Sequence, residues 1–225
     1  MYNFCIIFFM FFVYSVLGFI TELIFCSLVE KKIVLNRGFL IGPYCPIYGV
    51  AAVIMSVFLK RYNSDPIVVF SMGALIATTV EYLTSYLMEK LFKTRWWDYA
   101  NESFNVNGRV CLKNSILFGL GSLLIVYVTD DLYLKLVSLF DPTFFIIMNS
   151  ILMIIMLIDT ILSTNIIVKI RRNCEIARRD MTDEIKEKVR AELSKNLALT
   201  KRLLNSFPKV FKDIRGIIKK IDINK

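Results

Sequence analysis

Three carboxylates, Glu22, Glu81 and Asp159, stand inside long stretches that are otherwise apolar, and Glu89 follows eight residues after Glu81. An ionisable group surrounded by hydrocarbon is costly. Such residues are rare, turn toward protein or water, and mark paths for ions, protons or polar substrates. The residues around them repeat at helical spacing. Ser15, Gly18, Glu22 and Cys26 follow steps of three and four, as do Ala74, Thr78, Glu81, Ser85 and Glu89, so each set falls on one helix face. Two such faces turned toward each other predict a polar interior in which Glu22, Glu81 and Glu89 line a binding or transport path. Glu81 is foremost because it lies nearest the middle of its stretch. The structural alternative is that the small residues allow close helix packing and the carboxylates pair with arginine or backbone.

A second group gathers at the ends of these stretches. Asn36 and Arg37 precede a proline-interrupted segment, Arg95, Trp96, Trp97, Asp98 and Tyr99 follow the stretch that holds Glu81, and Asn105, Asn107 and Arg109 come soon after. Trp and Tyr at such places are ordinary interfacial anchors, and Asn107-Gly108 reads as a turn. Anchoring does not account for the company of Arg37, Arg95 and Arg109. Three guanidinium groups at a membrane face can hold a phosphate or carboxylate, or can neutralise Glu89 and Asp98. The spacing is compatible with either.

Other chemistries find no residues to carry them. The chain has no histidine, which removes Ser-His-Asp and Cys-His catalysis. Cys5, Cys26, Cys45, Cys111 and Cys174 show no CxxC spacing, so a Cys/His zinc site is not expected. No GxxxxGK[ST] sequence is present to bind a nucleotide. No catalytic constellation, cofactor, metal or nucleic-acid partner is therefore expected.

The elements that must position these residues are membrane helices. The 225 residues are 56% hydrophobic and 21% charged, with a mean hydropathy of +0.58. Residues 1–168 hold 11 basic and 11 acidic residues, whereas residues 169–225 hold 17 basic against 8 acidic. That partition separates a transmembrane bundle (1–168) from a basic cytoplasmic tail (169–225). Spans are expected at about residues 4–29, 39–59, 66–92, 112–128 and 142–168, since about 20 apolar residues cross the hydrocarbon core. The first has neither the basic start nor the cleavage site of a signal peptide and reads as a retained helix. Pro43 and Pro46 predict a broken or re-entrant start to the second, turned toward the protein interior. The fourth is short, ending before Asp130-Asp131. The expected fold class is thus an all-α polytopic membrane bundle of about five helices with a basic helical tail.

An odd number of spans and a basic tail place the N-terminus outside and the C-terminus in the cytoplasm. The loops around residues 30–38 and 93–111 then lie inside. In the tail, Ile185, Val189, Leu193 and Leu197 follow four-residue steps. Beyond Pro208, apolar Val210, Phe211, Ile214, Ile217, Ile218 and Ile221 oppose Lys209, Lys212, Arg215, Lys219 and Lys220. A basic amphipathic helix of this kind lies on an anionic membrane surface.

The segments Asn36–Gly49, Glu81–Tyr99 and Phe104–Leu112, together with Tyr14–Glu22, resemble the bacterial family of integral membrane proteins labelled putative ABC-transporter type IV. The resemblance covers roughly residues 12–127 and leaves 142–225 outside it. It implies a membrane component of a transport system, with any ATP hydrolysis supplied by a separate subunit. It assigns no substrate or catalytic residue. Three functions remain open: a transport subunit, a membrane enzyme acting on lipid headgroups through Glu89, Asp98 and the arginines, and a scaffold or regulatory protein.

Overall fold

Two of the long helices open on Asp-Pro. Proline at the first helical position sacrifices no hydrogen bond, and the preceding aspartate satisfies amides that the helix start leaves unpaired. Asp65 Oδ1 accepts from the Ile67 and Val68 amides at 3.0 and 3.2 Å. Asp141 Oδ2 accepts from those of Thr143 and Phe144 at 2.9 and 3.1 Å. These caps start α3 (Pro66–Phe92) and α6 (Pro142–Arg179) in the computed structural model, which describes residues 2–31, 38–92 and 95–179. Before α3 come α1 (Tyr2–Glu30) and α2 (Pro46–Leu59). After it, a small antiparallel hairpin of β1 (Asn105–Val106) and β2 (Val110–Cys111) leads into α4 (Leu112–Leu124). A π turn at Ile125–Thr129 joins α4 to α5 (Asp130–Ser138). The chain is an all-α bundle, as its hydropathy requires.

Four helical segments are long and apolar enough to cross a membrane: Tyr2–Leu28, Pro66–Phe92, Leu112–Ser138 and Pro142–Asn173. Their outward sides are bare hydrocarbon. Ile154, Leu157 and Ile161 of α6 are 55%, 61% and 52% exposed, a belt suited to lipid rather than water. The fourth expected span does not stop before Asp130-Asp131 but runs on to Ser138, because the π turn absorbs an extra residue without breaking the rod. The α6 helix also continues past residue 168 to Arg179, so no helix break marks the expected start of the tail. The expected tail contacts fall on residues 180–225, outside the described residues, as do Asn36 and Arg37.

The second expected span is helical only from Pro46. Its 14 residues measure about 21 Å, too short to cross alone. The second of the five expected spans is therefore not among the four helices long enough to cross, and residues 38–45 ahead of it form a non-helical segment packed against α6. Irregular backbone at membrane depth survives only where its polar groups are satisfied, and here α6 satisfies them. Asp159 accepts from the Ile41 amide (2.9 Å), the Gly42 amide (2.7 Å), the Tyr44 hydroxyl (2.5 Å) and the Ser163 hydroxyl (2.9 Å). The Cys45 amide donates to the Ser15 carbonyl of α1 at 2.8 Å. Asp159 thus belongs with the structural alternative: a carboxylate that holds backbone.

Small residues bring α1, α2, α3 and α4 together. A Cβ on Gly49 would lie 2.3 Å from the Phe11 carbonyl oxygen, and one on Gly73 would lie 2.1 Å from the Ser122 Cβ, so only glycine permits these approaches. At one end of the bundle Phe9, Tyr133, Val137 and Phe145 pack together, and Tyr127 of the π turn donates to the Asn63 carbonyl at 2.8 Å. At the other end Phe39 and Trp96 pack on Phe92, whose carbonyl accepts a hydrogen bond from Arg171 of α6. The 95–111 segment therefore shares its end with the last turn of α3 and with Arg171.

Candidate functional site

The α1 stripe faces inward: Ser15, Gly18 and Cys26 are buried and Glu22 is half-buried. On α3 the buried line is Gly73, Ala77, Glu81 and Ser85, with Thr78 beside it donating to Ser115 of α4 at 2.8 Å. Each stripe's carboxylate is held by a tyrosine from another part of the chain. Tyr48, seated over Gly18, donates to Glu22 Oε2 at 2.8 Å, and Cys26 donates to Glu22 Oε1 at 3.4 Å. Tyr99, from the loop before β1, donates to Glu81 Oε1 at 3.1 Å. Glu22 and Glu81 are within electrostatic reach of each other, and so are Tyr48 and Tyr99. Burial first, and then the charge of Glu81, hold the Tyr99 phenol well above its usual pKa, which keeps it a donor. Glu81 is 7% exposed, and its Oε2 has no hydrogen-bond partner among the described residues.

The loop that delivers Tyr99 is tightly built. Asn107 and Gly108 both have positive φ (53° and 66°), the backbone that a tight hairpin turn needs. A side chain at Gly108 would meet Asp98 Oδ1 at 2.6 Å. Asn105 accepts from the Gly108 amide and donates to the Glu102 and Ala100 carbonyls. Asn107 donates to the Tyr82 hydroxyl at 2.9 Å. The Tyr99 amide donates to the Gly108 carbonyl at 2.8 Å, and Trp97 Nε1 donates to the Arg109 carbonyl at 3.0 Å. Trp96 is buried edge-on against Phe39 and Phe92. Trp96 therefore fastens the loop to the bundle and Trp97 closes the loop on itself, where spacing alone suggested plain anchors.

The arginines are already engaged. Arg109 is 9% exposed, reaches Glu89 Oε2 at 2.8 Å and donates to Ser85 Oγ at 3.3 Å. It also stands by the faces of Tyr82 and Tyr86. Arg95 binds the same Glu89 oxygen at 3.1 Å and Asp98 at 3.5 Å. Glu89 thus sits in an ion-pair cluster at the mouth of the bundle, one helical turn beyond Ser85, while Glu22 and Glu81 remain in the polar interior. Among the described residues no group of His, Cys, Asp and Glu has the spacing of a metal centre. The arrangement offers two carboxylates, each hydrogen-bonded to a phenol, in the polar interior.

Several residues at this interior escaped the sequence reading. Tyr48 lacked a signal beyond its place after Pro46. Tyr99 was masked by its tryptophan neighbours. Asp130 lay past the expected end of the fourth span, although Tyr127, Leu132, Leu134 and Leu136 continue the apolar run around it. Neither the curated proteins nor the solved structures contain a match to this chain. The family model extends beyond the resemblance seen in the sequence, taking in α5 and most of α6. That model, described as putative ABC-transporter type IV, matches residues 9–164, and the chain belongs to this family.

Proposed function

We propose that the protein is the membrane subunit of a transport system and that Glu22 and Glu81, with Tyr48 and Tyr99, form a polar site on its translocation path. Glu81 Oε2 carries this reading: a buried carboxylate oxygen with no geometrically formed hydrogen bond among the described residues, with the side chains of Tyr99 and Asn114 beside its carboxyl group. Structural carboxylates in this chain are saturated, as Asp159 is, whereas Glu81 keeps an oxygen open for a ligand. The Glu89 cluster supports the path as a rigid rim. The family supports a partner ATPase, and ATP hydrolysis is assigned to that separate subunit. Purifying the tagged full-length protein in mild detergent is expected to bring down an ATPase. Homogeneous protein that never co-purifies with one from its native membrane, at native expression, would remove the ATP-driven form of the proposal.

The topology assigned with it has the N-terminus outside and the 95–111 loop in the cytoplasm, with the basic tail on the anionic inner surface. Single-cysteine versions carrying Asn63→Cys or Asn101→Cys are expected to differ. The first should react with an impermeant maleimide on intact cells, and the second only after permeabilisation. The reverse pattern would invert the orientation.

The lipid-headgroup enzyme is the weaker reading, because Arg95, Arg109, Glu89 and Asp98 neutralise one another.

A further inference from the structure

A second buried carboxylate lies apart from the Glu81 site. The rod from α4 to α5 passes through the π turn at Ile125–Thr129, and Asp130 follows directly. Turns of this kind displace backbone carbonyls from the regular helical ladder and are frequent at functional sites. Asp130 is 2% exposed. Its Oδ1 accepts from the hydroxyls of Ser56 on α2 (2.6 Å) and Tyr14 on α1 (3.2 Å). Tyr14 also shares a hydrogen bond with Thr129 Oγ1 at 2.7 Å. Asp130 Oδ2 is buried without a partner, and Asp130 makes no ion pair among the described residues. A saturated helix cap would leave no such oxygen.

We infer that Asp130, Ser56, Tyr14 and Thr129 form a binding site for a dehydrated alkali cation. The donor set is one carboxylate and three hydroxyls, all hard oxygens, which suit hard cations and not soft or redox metals. One carboxylate balances one positive charge, so a divalent ion would leave a net charge buried in a low-dielectric interior. A proton on Oδ2 would bury an O–H with no acceptor, whereas a cation uses that open oxygen together with the free lone pairs of the hydroxyls. Disrupted helix beside a carboxylate is also how membrane proteins bring carbonyl oxygens to Na⁺. The site goes beyond the transport reading and stands whether or not Glu81 lines a path. Because its donors come from α1, α2 and the α4–α5 rod, an ion there ties three parts of the bundle together, and occupancy should appear as stability.

The test is thermal unfolding of the full-length protein in detergent, titrating NaCl against choline chloride at constant ionic strength and pH, with LiCl and KCl in parallel. The unfolding midpoint is expected to rise saturably, by several degrees, in Na⁺ and not in choline. Asp130→Asn should abolish the response. Ser56→Ala removes one hydroxyl and keeps the carboxylate, so it should raise the Na⁺ concentration at half-effect by tenfold or more, read against its own, lower ion-free midpoint. That second variant keeps the test decisive if Asp130→Asn does not fold. An identical response to all four salts, or a Na⁺ response that survives in both variants, would overturn the site. A midpoint that ignores every alkali ion but shifts with pH in an Asp130-dependent way assigns the carboxylate to a proton, and would overturn it equally.

Discussion

Asp159→Ala is expected to cost the protein at least about 3 kcal/mol and to loosen residues 38–45 first. The carboxylate accepts four hydrogen bonds, from two backbone amides and the hydroxyls of Tyr44 and Ser163. Each hydrogen bond to a charged group is worth about 1.5–3 kcal/mol, and a buried donor stripped of its acceptor carries its full desolvation cost. The contributions are not additive, because Tyr44 and Ser163 can turn toward other acceptors. The Ile41 and Gly42 amides cannot, and within a bilayer no water replaces what they lose. Asp159→Asn keeps one acceptor oxygen and should fall between the wild type and Ala. Two measurements decide it: the thermal unfolding midpoint in detergent, and the reactivity of Cys45 toward a maleimide at a temperature where the bundle is intact. Cys45 lies at the end of the held segment, so its labelling should accelerate in Asp159→Ala before global unfolding. An Ala variant with a wild-type midpoint and a wild-type Cys45 labelling rate would show that the segment is held by its apolar contacts, Leu40 and Tyr44 against Met156, and not by the carboxylate.

The second large effect is on function and not on stability. Glu81→Gln should abolish activity while changing stability by less than about 1 kcal/mol. Glutamine keeps the size of the side chain and the oxygen that accepts from Tyr99. Losing one partner of a buried ion pair costs about 3–5 kcal/mol because the other charge is stranded, but Glu81 has no such partner among the described residues. Arg109, which reaches α3 from the β1–β2 hairpin, is committed to Ser85 and Glu89. Removing an uncompensated charge from a low-dielectric interior does not by itself destabilise. The readouts are the unfolding midpoint and rescue of a deletion strain. A variant that is as stable as wild type and rescues fully would remove Glu81 from the path. A loss of several kcal/mol would instead reveal a cation partner and return Glu81 to the structural class. Arg109→Gln provides the contrast: it leaves Glu89 with Arg95 alone and removes the guanidinium bonds to Glu89 and Ser85, and should lower stability where Glu81→Gln does not.

Glu81 and Asp159 show what a sequence can and cannot settle. Both are acidic residues embedded in apolar helices, and nothing local distinguishes them. Their helices, their inward-facing stripes and the membrane setting follow from the chain alone. Hydrocarbon forces every backbone group to be paired within its own segment, and the 3.6-residue repeat then decides which side chains share a face. The interruption at Pro43 and Pro46 was legible because proline lacks the amide that a helix interior needs, and the helix accordingly begins only at Pro46. So was the Asn107-Gly108 turn. What those residues bond to was not legible, since the partners lie far away in sequence: Asp159 meets Ile41 across 118 residues, and Asp130 meets Tyr14 across 116. The extent of the fourth span belongs to the same class. Asp130 reads as the end of a membrane helix because a charge usually is one. Only the hydroxyls of Ser56 and Tyr14, brought in from two other helices, allow the rod to carry it inside. Composition and periodicity determined that this chain is a membrane bundle with a polar interior. Tertiary packing alone decided which of its carboxylates are saturated and which keep an oxygen open, because saturation depends on donors that only folding brings within 3 Å.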